Sequence, residues 1–260
     1  QIAKRPKLRI TQVTRINIGL CFSQMSLAEQ ETLVTQSLIE TCKAFTELGI
    51  LWLWKPDRVL KLITKVSNES CLQQAIQQGK GMILLTPHLG AWEIAALYVS
   101  KKYPLTALYR PPKLKSLNNI IYKARTRAGG TLLATDKKGV RALLQALRRG
   151  EVAGILPDQV PNSGGFFAPF FGVPTYTMSL VARLAQKTNA KVFFTYAERT
   201  SQGFHIHFLP APDNIDSKNL ELACTALNQG VEQCLSNCRS QYQWSYKRFK
   251  RCPIGKKPVY

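Results

Sequence analysis

His88 and Glu93, in the segment Pro87-His88-Leu89-Gly90-Ala91-Trp92-Glu93, are the residues whose types and spacing suit chemistry. The segment follows the apolar run Met82-Ile83-Leu84-Leu85 and leads into a helical pattern from Trp92. An offset of five on one regular helix amounts to about 500° and leaves two side chains roughly 140° apart. The pair therefore meets most easily when His88 sits on a strand-to-helix turn and Glu93 looks back from the first helical turn. A carboxylate so placed fixes the imidazole tautomer and stabilises the imidazolium formed when His88 takes a proton. Such a base needs a hydroxyl to act on. A histidine at a strand end is also a common structural residue, so the spacing alone leaves that reading open. The chain has three histidines. The other two, His205 and His207, lie in Phe204-His205-Ile206-His207-Phe208, where strand alternation puts both on one face. A His-x-His pair can bind metal, but spacing suggests no third ligand, so they read as structural or surface strand residues.

The elements that must position these groups are legible as a pattern. Ser26 ahead of Leu27-Ala28-Glu29 offers an N-cap with a glutamate three residues on, opening a helix through the forties. A second helical stretch is expected over 57–65, which makes the first seventy residues helical. Beyond them strands and helices alternate. Strands are expected at 82–86, 105–109, 131–134, 152–156, 191–197 and 204–209. Helices are expected from 92 to about 101, then over 117–127, 138–149, 178–186 and 220–238. This alternation argues for an α/β layered domain with a largely parallel central sheet flanked by helices. His88 then lies at the carboxyl end of its strand, where open α/β sheets keep their sites. Asp158 and Gln159 end another buried strand and should project from the same edge. Glu198 ends a third. Phe166, Phe167, Phe170 and Phe171, split by Pro169, form an aromatic cluster that reads as core, acyl groove or bilayer contact.

Composition limits the partners. At 260 residues the chain can bury one substantial core, and no linker, repeat or low-complexity tract divides it. The net charge of +21 fits a solvated basic surface or an anionic partner. Nucleic acid is disfavoured, because no aromatic–basic stacking platform or zinc-finger spacing is present. Seven scattered cysteines without a Cys-x-x-Cys read as reduced thiols of a cytoplasmic compartment. No stretch reaches the ~20 apolar residues a membrane-spanning helix needs. Leu48-Gly49-Ile50-Leu51-Trp52-Leu53-Trp54-Lys55 suits either a membrane–water boundary or a buried helix end.

Several blocks carry a resemblance. His88 and Glu93 fit a His-x4-Asp/Glu signature. Ala107-Leu108-Tyr109-Arg110-Pro111-Pro112, Arg125-Thr126-Arg127-Ala128-Gly129 and Gly154-Ile155-Leu156-Pro157-Asp158-Gln159 follow in order. Pro169-Phe170-Phe171-Gly172-Val173-Pro174 and the tail from Tyr242 to Arg251 complete the set, with Asn17-Ile18-Gly19-Leu20-Cys21-Phe22 near the start. Together they resemble the late acyltransferases of bacterial lipid A biosynthesis, within the wider His-x4-Asp/Glu glycerolipid acyltransferase-like group.

The resemblance implies one acyltransferase domain over 1–260, with 1–70 helical and membrane-proximal and 71–260 the catalytic core. It implies transfer of a fatty acyl chain from acyl-acyl carrier protein to a hydroxyl of a lipid A precursor at the cytoplasmic face of the bacterial inner membrane. His88 would be the general base oriented by Glu93, and no cofactor or metal is expected. Members usually carry an amino-terminal membrane anchor, so one is expected upstream of Gln1. Arg110, Arg125, Arg127, Asp158 and Gln159 are the expected substrate-binding residues. Arg125 and Arg127 diverge by about 200° on a helix, so at most one faces the site; Arg125 is the choice. No Gly-x-Ser-x-Gly is present and no cysteine adjoins His88, which favours direct transfer over an acyl-enzyme. The alternatives are an acyltransferase for another glycolipid or a phospholipid, and a non-catalytic basic lipid-binding protein.

Overall fold

The computed structural model describes residues 8–112 and 114–260. The expected upstream anchor lies outside the described residues. Two helices open the chain, α1 (Arg9–Cys21) and α2 (Leu27–Leu53). Ser26 caps α2 as its type and spacing require: its hydroxyl accepts from the Glu29 amide while the Glu29 carboxylate accepts from the Ser26 N–H, a reciprocal capping box. The short α3 (Pro56–Leu60) follows, with proline at its first position, where the missing N–H costs nothing. The helix expected over 57–65 stops there. Ile63–Ser67 is instead a strand, β1, paired in parallel with β9 (Gly203–Pro210). None of its residues is fully buried, which suits a sheet edge and gives no helical stripe.

The remaining elements alternate as expected: α4 (Glu69–Gln77), β2 (Met82–Leu85), α5 (Trp92–Lys102), β3 (Leu105–Tyr109), α6 (Lys115–Thr126), β4 (Thr131–Ala134), α7 (Lys137–Arg148) and β5 (Val152–Ile155). A hairpin, β6 (Gly165–Phe170) and β7 (Val173–Met178), comes next, then α8 (Leu180–Thr188), β8 (Lys191–Thr200), β9 and α9 (Leu220–Leu235). The aromatic cluster therefore lies on a two-stranded sheet of its own, and the helix expected from 178 begins at Leu180.

The main sheet has seven strands in the order β1-β9-β8-β2-β5-β3-β4. Five neighbours from β8 to β4 run parallel; β9 is antiparallel to β8, and β1 follows β9. Every residue of β2 is buried, as a central strand covered on both faces must be. One core layer gathers Ile18, Leu33, Leu38, Leu143, Leu184, Leu227 and Trp244 from α1, α2, α7, α8, α9 and the tail. The opposite layer packs Leu51, Leu72, Ile94 and Val99 against Phe193, Ile206 and Phe208 of the sheet. Among the described residues, no helix is long and apolar enough to cross a membrane.

Candidate active site

Sheet register explains how residues seventy positions apart meet. Leu85 of β2 and Ile155 of β5 are direct partners. Three residues further on, both chains leave the carboxyl edge of the sheet, at His88 and Asp158. The Asp158 carboxylate accepts two hydrogen bonds from His88: one from the backbone N–H to Oδ2 at 2.8 Å, the other at Nδ1 with Oδ1, also 2.8 Å. Gln159 Nε2 lies 3.3 Å from His88 Nε2. Because a carboxylate only accepts and the amide nitrogen only donates, this network assigns the proton to Nδ1 and the lone pair to Nε2. The His88 side chain is 13% exposed against 3% for Asp158, so the imidazole is the open member of the pair.

The turn bearing His88 is fastened from several directions. Gly90 adopts φ 58°, and a Cβ there would lie 2.0 Å from the Ala197 carbonyl oxygen, so only glycine fits. Gly90 N–H donates to Gln241 O, Ala91 N–H to Ala197 O, and Gln243 N–H to His88 O. Trp92 stands beside the imidazole, with ring centroids 5.3 Å apart. Behind Asp158 lies a buried layer of Tyr242 and Arg248. Arg248 donates to Tyr176 O at 2.9 Å and, through its other terminal nitrogen, to Thr177 Oγ1 and Asn228 Oδ1, each at 3.2 Å. Burial lowers the Arg248 pKa, opposed by the phenols and the Asp158 carboxylate around it. Burial by itself would raise the Asp158 carboxyl; His88, through charge and both hydrogen bonds, and Arg248 reverse that and hold it below its ordinary value. Burial, then the adjacent Asp158, push the Tyr242 phenol well above its ordinary range.

Glu93 is occupied elsewhere. Its carboxylate takes the Arg125 guanidinium at 2.5 Å (Nη2 to Oε1), with Nε donating at 3.1 and 3.2 Å. The carboxylate on the His88 ring is thus that of Asp158, and Glu93, on the first turn of α5, positions Arg125 of α6. The Arg125 pKa is pulled down by burial and raised further by Glu93, for a net rise. Arg127 turns the other way and donates to the carbonyls of Leu51 and Trp52, the unsatisfied end of α2. Burial lowers its pKa. Arg110 is exposed at the mouth of the site. Asp158 pairs with His88 and not with Arg125.

His88 Nε2 faces a cleft of about 860 Å³. Arg110, Arg125, Lys137 and Arg183 line it beside Gln159, with Asp136 the acidic lining residue, so the cleft suits an anionic ligand. Asp136 is itself engaged as the N-cap of α7, accepting from Gly139 N–H at 2.8 Å. Beneath Arg125 a largely apolar cavity of about 70 Å³ runs between the sheet and α2, α5 and α6. Leu51, Trp52, Leu84, Ala96, Leu97 and Leu105 line it, and it shares Leu108, Arg125, Ile155 and Leu156 with the cleft. The Glu93–Arg125 pair sits where the two meet. Glu198, named with the strand ends, lines neither; its side chain meets His207 at 3.0 Å.

The positioning residues that the sequence did not single out are Gln241, Tyr242 and Arg248. Arg248 lies in Tyr246-Lys247-Arg248-Phe249-Lys250-Arg251, where its neighbours Lys247 and Lys250 are partly exposed and exposed. Nothing in the run distinguishes the one cation that is buried, though the flanking Trp244 and Phe249, both buried, are a signal that the tail enters the core.

Residues 2–251 match the model of the family described as bacterial lipid A biosynthesis acyltransferase. The chain is 26% identical to a lipid A biosynthesis palmitoleoyltransferase of Escherichia coli (strain K12), over 98% of this chain and 84% of that protein. It is 25% identical, with the same coverage of both, to the lipid A biosynthesis lauroyltransferase of the same strain. A lipid A biosynthesis acyltransferase of Haemophilus influenzae is 28% identical over 96% of this chain and 80% of its own length. Matched by the family model over residues 2–251, and by these relatives along nearly its whole length, the chain belongs to the bacterial lipid A biosynthesis acyltransferase family.

Proposed function

We propose that this protein transfers a fatty acyl chain from acyl-acyl carrier protein to a hydroxyl of a lipid A precursor, with His88 as general base held by Asp158. Family membership supports acyl transfer in lipid A biosynthesis. The observation that carries the mechanism is a histidine with Nδ1 on a buried carboxylate and Nε2 open to a cationic cleft that adjoins an apolar cavity. In the reaction, Nε2 removes the acceptor hydroxyl proton as its oxygen attacks the thioester carbonyl. The tetrahedral oxyanion collapses, the carbon–sulfur bond breaks, and the imidazolium returns the proton to the carrier thiolate. Asp158, kept ionised by its neighbours, balances the transient imidazolium charge. Arg125 and the Gln159 amide stand on the same wall as donors for the oxyanion. Arg110, Lys137 and Arg183 fit the anionic groups of a phosphorylated glycolipid. The cavity accepts the end of the acyl chain, and the cleft mouth faces the lipid that carries the acceptor hydroxyl. Glu93 acts by holding Arg125.

The test is turnover with labelled acyl-acyl carrier protein and a lipid A precursor. General base catalysis contributes on the order of 10²–10⁴ in rate, so His88→Ala should lose that much. Equal turnover by parent and variant overturns the assignment of His88; inactivity of the well-folded parent on every lipid A precursor overturns the acceptor.

A further inference from the structure

A second constellation lies away from the cleft. Among the described residues, one group of three His, Cys, Asp or Glu side chains comes within coordinating reach: Glu198, His205 and His207, whose donor atoms lie within 4.8 Å of one another. The strand pairing explains the meeting. His205 and His207 alternate onto one face of β9, and antiparallel pairing puts Glu198 of β8 directly opposite His205 and Tyr196 opposite His207. The two imidazole centroids are 3.8 Å apart, and His207 Nε2 is 3.0 Å from Glu198 Oε2.

We propose that Glu198, His205 and His207 form a binding site for a zinc-like divalent transition-metal ion that clips β8 to β9. Two imidazoles and one carboxylate are a donor set that zinc accepts with water in the remaining position. The outer partners of such a site are in place. Ser67 Oγ lies 2.8 Å from His205 Nε2, and the Tyr196 ring stacks on His207 at 4.5 Å with 7° between planes. These are the kinds of contact that fix a ligating imidazole. All three ligands are half-buried, open enough for an ion to enter. Arg199, the nearest cation along β8, is already held by Glu40 at 2.7 Å and Glu47 at 2.6 Å, so it does not compete for Glu198. Lys65, opposite His205 on β1, is exposed and works against a cation there. None of the three ligands lines the cleft around His88, so the ion takes no part in acyl transfer. Its consequence is mechanical: the strand end it fastens carries the Ala197 carbonyl that receives Ala91 N–H beside the His88 turn.

The experiment uses chelator-stripped full chain carrying Cys42→Ser and Cys71→Ser, which removes the two exposed thiols, and Zn²⁺ alone as probe. One saturable equivalent is expected by calorimetry. Thermal unfolding should shift up by on the order of 5–10 °C at a free concentration a hundred times the dissociation constant. Glu198→Gln should weaken binding at least about tenfold, and the His205→Gln/His207→Gln pair should abolish it. Co²⁺ in the parent should give visible d–d absorption without a thiolate charge-transfer band, a readout that holds even if the double variant does not fold. No saturable uptake, uptake undiminished in the double variant, or a thiolate band would each overturn the site.

Discussion

As the proposed base, the His88 imidazole works only in one tautomer, and Asp158 is the residue that selects it. Asp158→Asn removes the charge and presents the ring with an amide that can donate, so the neutral imidazole can turn over its proton assignment. We expect turnover to fall on the order of 10²–10⁴ while the KM for the acyl donor changes little, measured by steady-state kinetics. The same residue sets an acid limit on stability. Its carboxyl is held below the ordinary value of 3.8 in the folded state, so unfolded chains bind the proton more tightly. The stability it contributes is complete above that ordinary value and is lost as pH falls through the lower folded one. Asp158→Asn should flatten the pH dependence of unfolding below about pH 4, in denaturant titrations at stepped pH. His88 was legible in the sequence because a rare histidine stood at a strand end with a glycine turn behind it. Its partner was not, because nothing in the residues says that β2 and β5 are neighbours in register. Only that adjacency brings position 158 to position 88, and it leaves Glu93 free for Arg125.

Helix ends and helix contacts shape the cavity proposed for the acyl end. Arg127 donates to the last carbonyls of α2 and so fixes the helix that supplies Leu51 and Trp52 to the cavity wall. Arg127→Ala should destabilise the fold by about 1.5–3 kcal/mol, the range for hydrogen bonds to charged groups, read as a lower denaturation midpoint. If the cavity takes the acyl end as proposed, its wall sets chain length. Ala96 of α5 is a small lining residue, and Ala96→Phe should fill the space that the acyl end occupies. Each methylene denied burial forgoes about 0.8 kcal/mol, a factor of about four in relative kcat/KM, so the preferred donor should shorten in competition assays with mixed acyl chains. Unchanged preference would place the acyl end elsewhere. The parallel α/β architecture was readable because buried strands, amphipathic helices and the Ser26 box each leave a local signal. β1 was not, since five residues with no buried face pair only with β9, about 140 residues later. The hairpin β6–β7 escaped for a related reason: its aromatic run carries hydrophobicity without a clean period, and its strand character comes from the antiparallel pairing of the two segments.

Across the molecule, a charge of +21 has to be reconciled with an apolar surface on the same protein. Helices α2 and α6 pack together, and they leave Phe45 and Leu53 on one and Ile120 on the other exposed, with Leu114 exposed at the cap of α6. This is the pair of helices that also walls the acyl cavity, so a lipid surface against it would lie beside the entrance an acyl chain needs. Leu51 of the tryptophan-rich segment is buried while Leu53 is 73% exposed, so that segment serves both core and surface. Two forces of different character then add at an anionic bilayer. Each Lys or Arg near the surface contributes about 1 kcal/mol and is screened by salt, whereas buried apolar area is indifferent to salt. Binding to vesicles containing anionic phospholipid, followed by co-sedimentation, should therefore fall steeply with added salt and then level off at a residual. Phe45→Ser/Leu53→Ser should remove the residual and leave the steep portion; these are exposed positions, so far-ultraviolet circular dichroism should be unchanged. A residual that survives the substitution would move the apolar contact to another face of the protein, and binding independent of salt throughout would deny the basic surface any part in it.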